Sequence, residues 1–148
     1  MQALIRKAGK EDLEGLREFL TRAKLGTDGL TEESMGSFLL LEDGAGDLKG
    51  TLGMDVYGEF GLLRSLVVSA GQAEKEILTL FDRMVALAKE KGLTGLFLAT
   101  NKTAALPFFE LMGFKKIGRG ELPVAFYQSE HIRQVLNVDN SLFLRFSL

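Results

Sequence analysis

The run Leu62-Leu63-Arg64-Ser65-Leu66-Val67-Val68 sets a permanent cation and a hydroxyl inside an otherwise apolar stretch. If the run is a strand, alternation places Arg64 on the face shared by Leu62, Leu66 and Val68. An unpaired charge there is costly. Two partners resolve the conflict. The α-carboxylate of an amino acid could accept two parallel hydrogen bonds from the guanidinium. Alternatively Asp55, or another acid of the neighbouring strand, could pair with it internally, as buried charges usually do. Both readings stay open on the sequence. Arg64 and Ser65 are therefore candidate substrate-binding residues.

Other chemistries are excluded by what the chain lacks. It has no cysteine, which removes disulfides, thiolate catalysis and cysteine-rich zinc sites. His131 is the only histidine, so a multi-histidine metal cage is excluded as well, and no metal site is expected. His131 lies in a polar segment and reads as a solvated surface side chain. A net charge of −2 argues against a nucleic-acid partner, which leaves a basic footprint. The N-terminus lacks the apolar stretch of a signal peptide, and no window approaches the ~20 apolar residues of a membrane span. A cytoplasmic protein with no membrane contact is the expectation. At 148 residues, one domain covering 1–148 can bury its own core.

The elements that must position Arg64 follow from periodicity and punctuation. Leu4-Ile5-Arg6 reads as a first strand. Leu13, Leu16, Phe19 and Leu20 then recur at helical spacing, with Asp12, Glu14 and Glu18 on a solvated face. Gly26 and Gly29 mark a loop, and Thr31-Glu32-Glu33-Ser34 a capped helix start. Strands are expected at Phe38–Leu41, Leu48–Tyr57 and Phe60–Val68, the last two joined by the turn Gly58-Glu59. A long helix spans Glu74–Lys91, its stripe Ile77, Leu80, Phe81, Met84, Val85, Leu87 and Ala88 facing the sheet. Gly92 stops it. Leu93–Thr100 is an unalternating, doubly buried strand. A short helix over Phe108–Met112 ends at Gly113, and strands follow at Phe114–Ile117 and Leu142–Phe146.

That order, together with particular residues, resembles the GNAT superfamily of N-acetyltransferases. Ile5-Arg6-Lys7-Ala8 with Glu11-Asp12-Leu13 resembles the family's opening strand and helix. Gly61-Leu62-Leu63-Arg64-Ser65-Leu66-Val67-Val68 looks like its central cofactor-side strand. Ala105-Leu106-Pro107-Phe108-Phe109-Glu110-Leu111-Met112-Gly113-Phe114 is similar to its Ala-x-x-Phe-Tyr-x-x-x-Gly-Phe segment. Leu63–Leu66, the Phe108-Phe109 pair and Gly120-Glu121-Leu122-Pro123 look most like the amino-acid branch, which includes N-acetylglutamate-synthase-like domains and arsenic-operon acetyltransferases.

The resemblance implies an α/β (α+β) fold: a mixed, mostly antiparallel sheet, helices on both faces, and strands Leu62–Val68 and Leu93–Thr100 splayed apart. It implies acetyl-CoA as co-substrate and the primary amine of a small molecule as acceptor, with an amino acid as one candidate. Its pantetheine arm pairs with strand backbone at Leu66, Val67 and Val68. Its pyrophosphate lies on a helix N-terminus, here at Gln72, Ala73, Glu74 and Lys75. Asn101, whose bland reading is a helix cap, and Phe109, whose bland reading is core, complete the implied cofactor contacts.

The family's phosphate loop reads Gln/Arg-x-x-Gly-x-Gly/Ala, whereas Gln72-Ala73-Glu74-Lys75-Glu76-Ile77 carries Lys75 and Ile77 in place of the glycines. Helix through Glu74–Ile77, capped by Ser69, Gln72 or the glutamates, is expected instead. The family's usual proton donor aligns with Phe109, its glutamate with Leu62, and Glu59 sits in the preceding turn. Tyr127 is the remaining hydroxyl worth naming. No catalytic acid or base is assigned. A non-catalytic ligand- or partner-binding module is the alternative function, and a homodimer is an open assembly.

Overall fold

The computed structural model describes residues 4–27, 29–69, 71, 74–128, 133 and 141–148. Among the described residues seven strands occur: β1 (Leu4–Lys7), β2 (Phe38–Glu42), β3 (Leu48–Tyr57), β4 (Phe60–Val68), β5 (Gly95–Thr100), β6 (Lys115–Ile117) and β7 (Leu142–Ser147). They form one sheet in the order β1-β2-β3-β4-β5-β7-β6. The helices are α1 (Leu13–Arg22), α2 (Glu74–Glu90) and α3 (Leu106–Leu111). The chain divides into two compact units, Met1–Asp55 with Arg64–Leu87, and Val56–Leu63 with Ala88–Leu148.

In the first unit β1 and β3 flank β2, both antiparallel to it. Leu16 and Leu20 of α1 are buried with Ala8, Leu30, Met35, Phe38 and Leu40, and Leu13, Leu48 and Val67 close the cluster. Burying each such leucine contributes about 1.5–3 kcal/mol. The expected second helix is a 3-10 turn, Glu33–Ser37. Its entry is fixed as the Thr31–Ser34 signature implies: each residue's backbone N–H donates to the other's hydroxyl, at 3.0 and 3.2 Å. Phe38 faces Gly53 across the β2–β3 ladder. A Cβ on Gly53 would lie 2.2 Å from the Phe38 ring, so the aromatic occupies the space a side chain would need.

Asp12 departs from its expected place on a solvated face. Its carboxylate takes two hydrogen bonds from Arg6, both 2.8 Å, and one from the Gly9 N–H at 2.7 Å. Arg6 Nε also donates to Glu42 at 2.9 Å. The sequence signal was present, since Asp12 begins a helix just after a strand arginine, but the partner was not legible. The Arg6 hydrogen bonds hold the Asp12 carboxyl below its ordinary range against the opposing effect of burial, with help from the Gly9 N–H.

In the second unit β4 and β5 are parallel, with Phe60, Gly61 and Leu62 opposite Gly95, Leu96 and Phe97. The partnered register stops there, although β4 runs on to Val68 and β5 to Thr100. β7 is antiparallel to both β5 and β6. Leu62, Phe97, Leu122, Phe126 and Phe143 form the core, with Phe126 edge-on to Phe97 at 5.1 Å. α3 ends as its Gly113 predicts: Phe114 N–H returns to the Phe109 carbonyl at 3.1 Å while Gly113 takes φ +110°.

Two outcomes are expected from urea unfolding. Gly53→Ala should destabilise by about 1–3 kcal/mol, because the Phe38 ring must leave its place. Asp12→Asn should destabilise by about 1 kcal/mol at neutral pH, a figure discounted because the Arg6 side chain is 35% exposed. A depressed carboxyl contributes stability above its unfolded pKa and loses it as pH falls through the folded value. The wild-type advantage over Asp12→Asn should therefore fade below about pH 4; an advantage unchanged in acid would exclude the ionic account.

Candidate functional site

Arg64 is 7% exposed, among the most buried charges described. Its guanidinium reaches Asp55 of β3, with Nη1 at 3.4 and 3.5 Å from the two carboxylate oxygens. Nη2 donates to the Gly26 carbonyl at 3.4 Å and Nε to the Ser65 hydroxyl at 3.2 Å. The internal partner anticipated for Arg64 is thus present, and it is Asp55. These lengths exceed the roughly 2.7–2.9 Å of well-made charge-assisted hydrogen bonds. The pair is an ionic contact with loose geometry.

Ser65 was named for its hydroxyl, but its backbone is as distinctive. Its φ is +58°, in the left-handed region, in the middle of a strand. A non-glycine residue there is strained by about 1–2 kcal/mol, which the surrounding contacts must offset. The kink also corrects the expected face. Simple alternation groups Arg64 with Leu66 and Val68, yet Leu66 is 36% exposed while Val67 packs against the α1 cluster. Arg64 reaches the loop at Gly26, and Leu30 downstream in that loop belongs to the same cluster. The left-handed residue shifts the alternation by one, so Val67 follows Arg64 onto that face. A local φ reversal at a serine leaves no signature in hydrophobic periodicity.

The implied cofactor residues divide by position. Leu66, Val67 and Val68 lie beyond the last partnered pair of the β4–β5 ladder. Gln72 and Ala73 lie outside the described residues, as does His131. α2 begins at Glu74, so Glu74–Ile77 is helix with Lys75 exposed. Glu76 Oε2 in the same turn is buried without a hydrogen-bond partner. A buried carboxylate oxygen with no hydrogen-bond donor among the described residues is a poor neighbour for a phosphate at this terminus, so these residues fit a pyrophosphate poorly.

Asn101 is exposed and does not cap the following turn. That turn, Thr103–Ala105, starts from Lys102 without a side-chain cap, and the Thr100 hydroxyl accepts the Lys102 N–H at 3.1 Å. Phe109 is buried against Phe108 and Phe114, with ring centroids 5.7 and 6.2 Å away. Tyr127 is exposed and donates to the Arg119 carbonyl at 3.3 Å. Glu59 accepts from the Thr94 hydroxyl at 3.1 Å. Arg145 drew no attention in the sequence. It lies over Phe60 and Phe97 at 5.8 and 5.3 Å, its Nε buried without a hydrogen-bond partner.

No protein family's sequence profile matches the chain. The uncharacterized protein YwlB of Bacillus subtilis is 29% identical over 142 residues, 95% of each chain. N-acetylglutamate synthase from Neisseria gonorrhoeae, solved with coenzyme A and N-acetyl-glutamate, superposes with a TM-score of 0.77 at 22% identity; the match covers this whole chain but 35% of that one. A GNAT-family acetyltransferase from Staphylococcus aureus matches over 99% of both chains, with a TM-score of 0.73 and 22% identity. A Mycobacterium tuberculosis protein solved with CoA gives 0.74 at 18% identity over 98% of this chain and 99% of its own. The fold is the GNAT acetyltransferase fold. The mixed, mostly antiparallel sheet and its helices agree with the class read from the sequence.

If Asp55 is the charge partner of Arg64, Arg64→Ala leaves a largely buried carboxylate uncompensated and should destabilise by about 2–4 kcal/mol. The double change Arg64→Ala with Asp55→Ala should recover part of that loss in a thermodynamic cycle. Strict additivity of the two changes would show that the pair is not coupled.

Proposed function

We propose that this GNAT-fold chain is an acetyl-CoA-dependent N-acetyltransferase acting on the primary amine of a small molecule, an amino acid in the first instance. The observation that carries the acceptor class is Arg64: a buried guanidinium, with long contacts to Asp55, in the strand that resembles the family's cofactor-side strand. Support for the donor comes from the fold, since several GNAT-fold relatives were solved with coenzyme A. In this reading the pantetheine arm pairs with β4 backbone at Leu66–Val68, beyond the ladder shared with β5. The acceptor nitrogen bonds to the acetyl carbon, the carbon–sulfur bond breaks, and a proton from the amine passes to the departing thiolate. Phe109 cannot donate that proton, so solvent or a residue not yet assigned delivers it.

A second reading is favoured by one observation. The helical turn Glu74–Ile77 replaces a glycine loop and buries an unpartnered Glu76 oxygen, which suits a protein that keeps the fold and has lost tight cofactor binding. Such a protein would bind a ligand or partner without turnover. The domain extent 1–148, the cytoplasmic location and a homodimeric assembly belong to the proposal. Among the described residues no helix is long and apolar enough to cross a membrane.

Calorimetric titration with acetyl-CoA and with free CoA separates the two readings. The enzyme reading expects binding of both, weaker than in relatives with an intact glycine loop. Lys75→Gly with Ile77→Gly should tighten CoA binding, because backbone can then approach the pyrophosphate, even though each glycine costs about 1 kcal/mol of helix propensity. Tight binding by the unmodified chain that is lost in the double variant would instead make Lys75 a phosphate ligand. No binding and no acetylated amine would favour the non-catalytic reading.

A further inference from the structure

Asp55 is an acceptor with capacity to spare. A carboxylate offers about four lone-pair positions. Among the described residues Asp55 uses them only for two long hydrogen bonds, 3.4 and 3.5 Å, both from the same nitrogen of Arg64. Its side chain is 19% exposed, against 6% for Arg64, so the acid is the solvent-facing member of the pair. A carboxylate with a purely structural task would close on the guanidinium at bidentate length, as Asp12 does on Arg6 at 2.8 Å. The two pairs lie in the same unit and differ by 0.6 Å or more in contact distance.

We propose that Asp55 receives the ammonium group of the acceptor, so that Asp55 and Arg64 together recognise the zwitterionic head of a free α-amino acid. The inference rests on the acceptor class proposed above and adds the residue that selects it. In an α-amino acid the carboxylate and the ammonium sit on one carbon, and Arg64 and Asp55 present the complementary charges side by side. The ligand carboxylate takes over Arg64 Nη1 as its ammonium takes over Asp55. Two long contacts are exchanged for short charge-assisted ones.

The same arrangement rejects the alternatives. A carboxylic acid without an amine meets Asp55 as a like charge beside Arg64, and an amine without a carboxylate meets Arg64 in the same way. Asp55 is a positioning residue and not the base: its carboxylate holds the ammonium as a charge partner, and the proton leaves to solvent before attack. Transfer converts the ammonium into an uncharged amide. The product then offers Asp55 only a neutral N–H in place of a cation and keeps its carboxylate beside it, so product binds more weakly than acceptor.

The test is calorimetry on the full chain, in the presence of CoA, with the set of common L-amino acids. The best binder is then compared with its α-hydroxy acid and its methyl ester. The amino acid is expected to bind at least about tenfold tighter than either analogue, since each leaves one charged group of the site unmatched. In Asp55→Asn the amino acid should weaken by about tenfold and its preference over the hydroxy acid should collapse. Asp55→Glu should retain the preference, and it serves as the readout if Asp55→Asn does not fold.

Equal binding of amino acid and hydroxy acid by the wild type overturns the inference, as does an undiminished preference in Asp55→Asn or the absence of any amino-acid binding. If CoA binds and amines lacking a carboxylate are acetylated, the inference fails while the acetyltransferase reading stands. If amino acids bind with the Asp55-dependent preference but nothing is acetylated, the inference stands and the transferase reading fails.

Discussion

A guanidinium cannot shed its charge, so a strand that buries one must bring acceptors to it from other parts of the chain. Among the acceptors of the described residues, Arg64 draws on the carboxylate of Asp55 on β3, the carbonyl of Gly26 in the loop after α1, and the hydroxyl of Ser65 next door. Each ties down a different element. Ser65 reaches Arg64 while its own backbone is left-handed, and that reversal turns the rest of β4 by one position. Val67 thereby joins the α1 core instead of Leu66. A Cβ built on Gly29, at φ +80°, would meet Arg64 Nη1 at 3.4 Å, so the loop passes close to the charge. The packing of the first unit around β4 thus follows from where this one cation is placed.

The contrast with Arg6 shows what such a charge looks like when its task is structural. Arg6 holds Asp12 and Glu42 through four hydrogen bonds of 2.8 to 3.2 Å, linking β1, the entry to α1 and the end of β2. Arg64 is more buried and more loosely held by its acid. A buried charge whose acid stays at 3.4 Å is an unfavourable combination, and a site that must exchange partners during binding is one setting in which it is tolerated. At the start of α2 the chain takes the opposite course. Ordinary helix covers Glu74–Ile77, and one carboxylate oxygen of Glu76 is buried without a hydrogen-bond partner among the described residues.

Much of the architecture was legible before any coordinates. Helical spacing in Leu13–Leu20 and Ile77–Ala88 located α1 and α2, and Gly58-Glu59 and Gly92 marked where elements end. The strand edges moved by a residue or two: β5 opens at Gly95, because Leu93 is still closing α2 through its N–H to the Ala88 carbonyl. The second helix shrank to a 3-10 turn, since Gly36 and Ser37 leave little to propagate it before Phe38 enters the sheet. For Asn101 the resemblance implies a cofactor contact and the residue type a cap; the cap is not made, and Thr100 supplies the nearby side-chain acceptor.

What the sequence determined by itself was local: periodicity, turn chemistry, the absence of cysteine, and the oddity of a charge at position 64. Those signals depend on residue types within a few positions of one another, and such patterns survive translation into a one-dimensional string. Which partner Arg64 would meet was named among alternatives, but only the tertiary structure brought Asp55 and Gly26, 9 and 38 residues away, to the guanidinium. The looseness of that pair, the left-handed Ser65 and the orphaned oxygen of Glu76 were likewise decided there. Each is a matter of tenths of an ångström or of one dihedral angle, set by the balance of all the surrounding contacts and not by any neighbour in the chain.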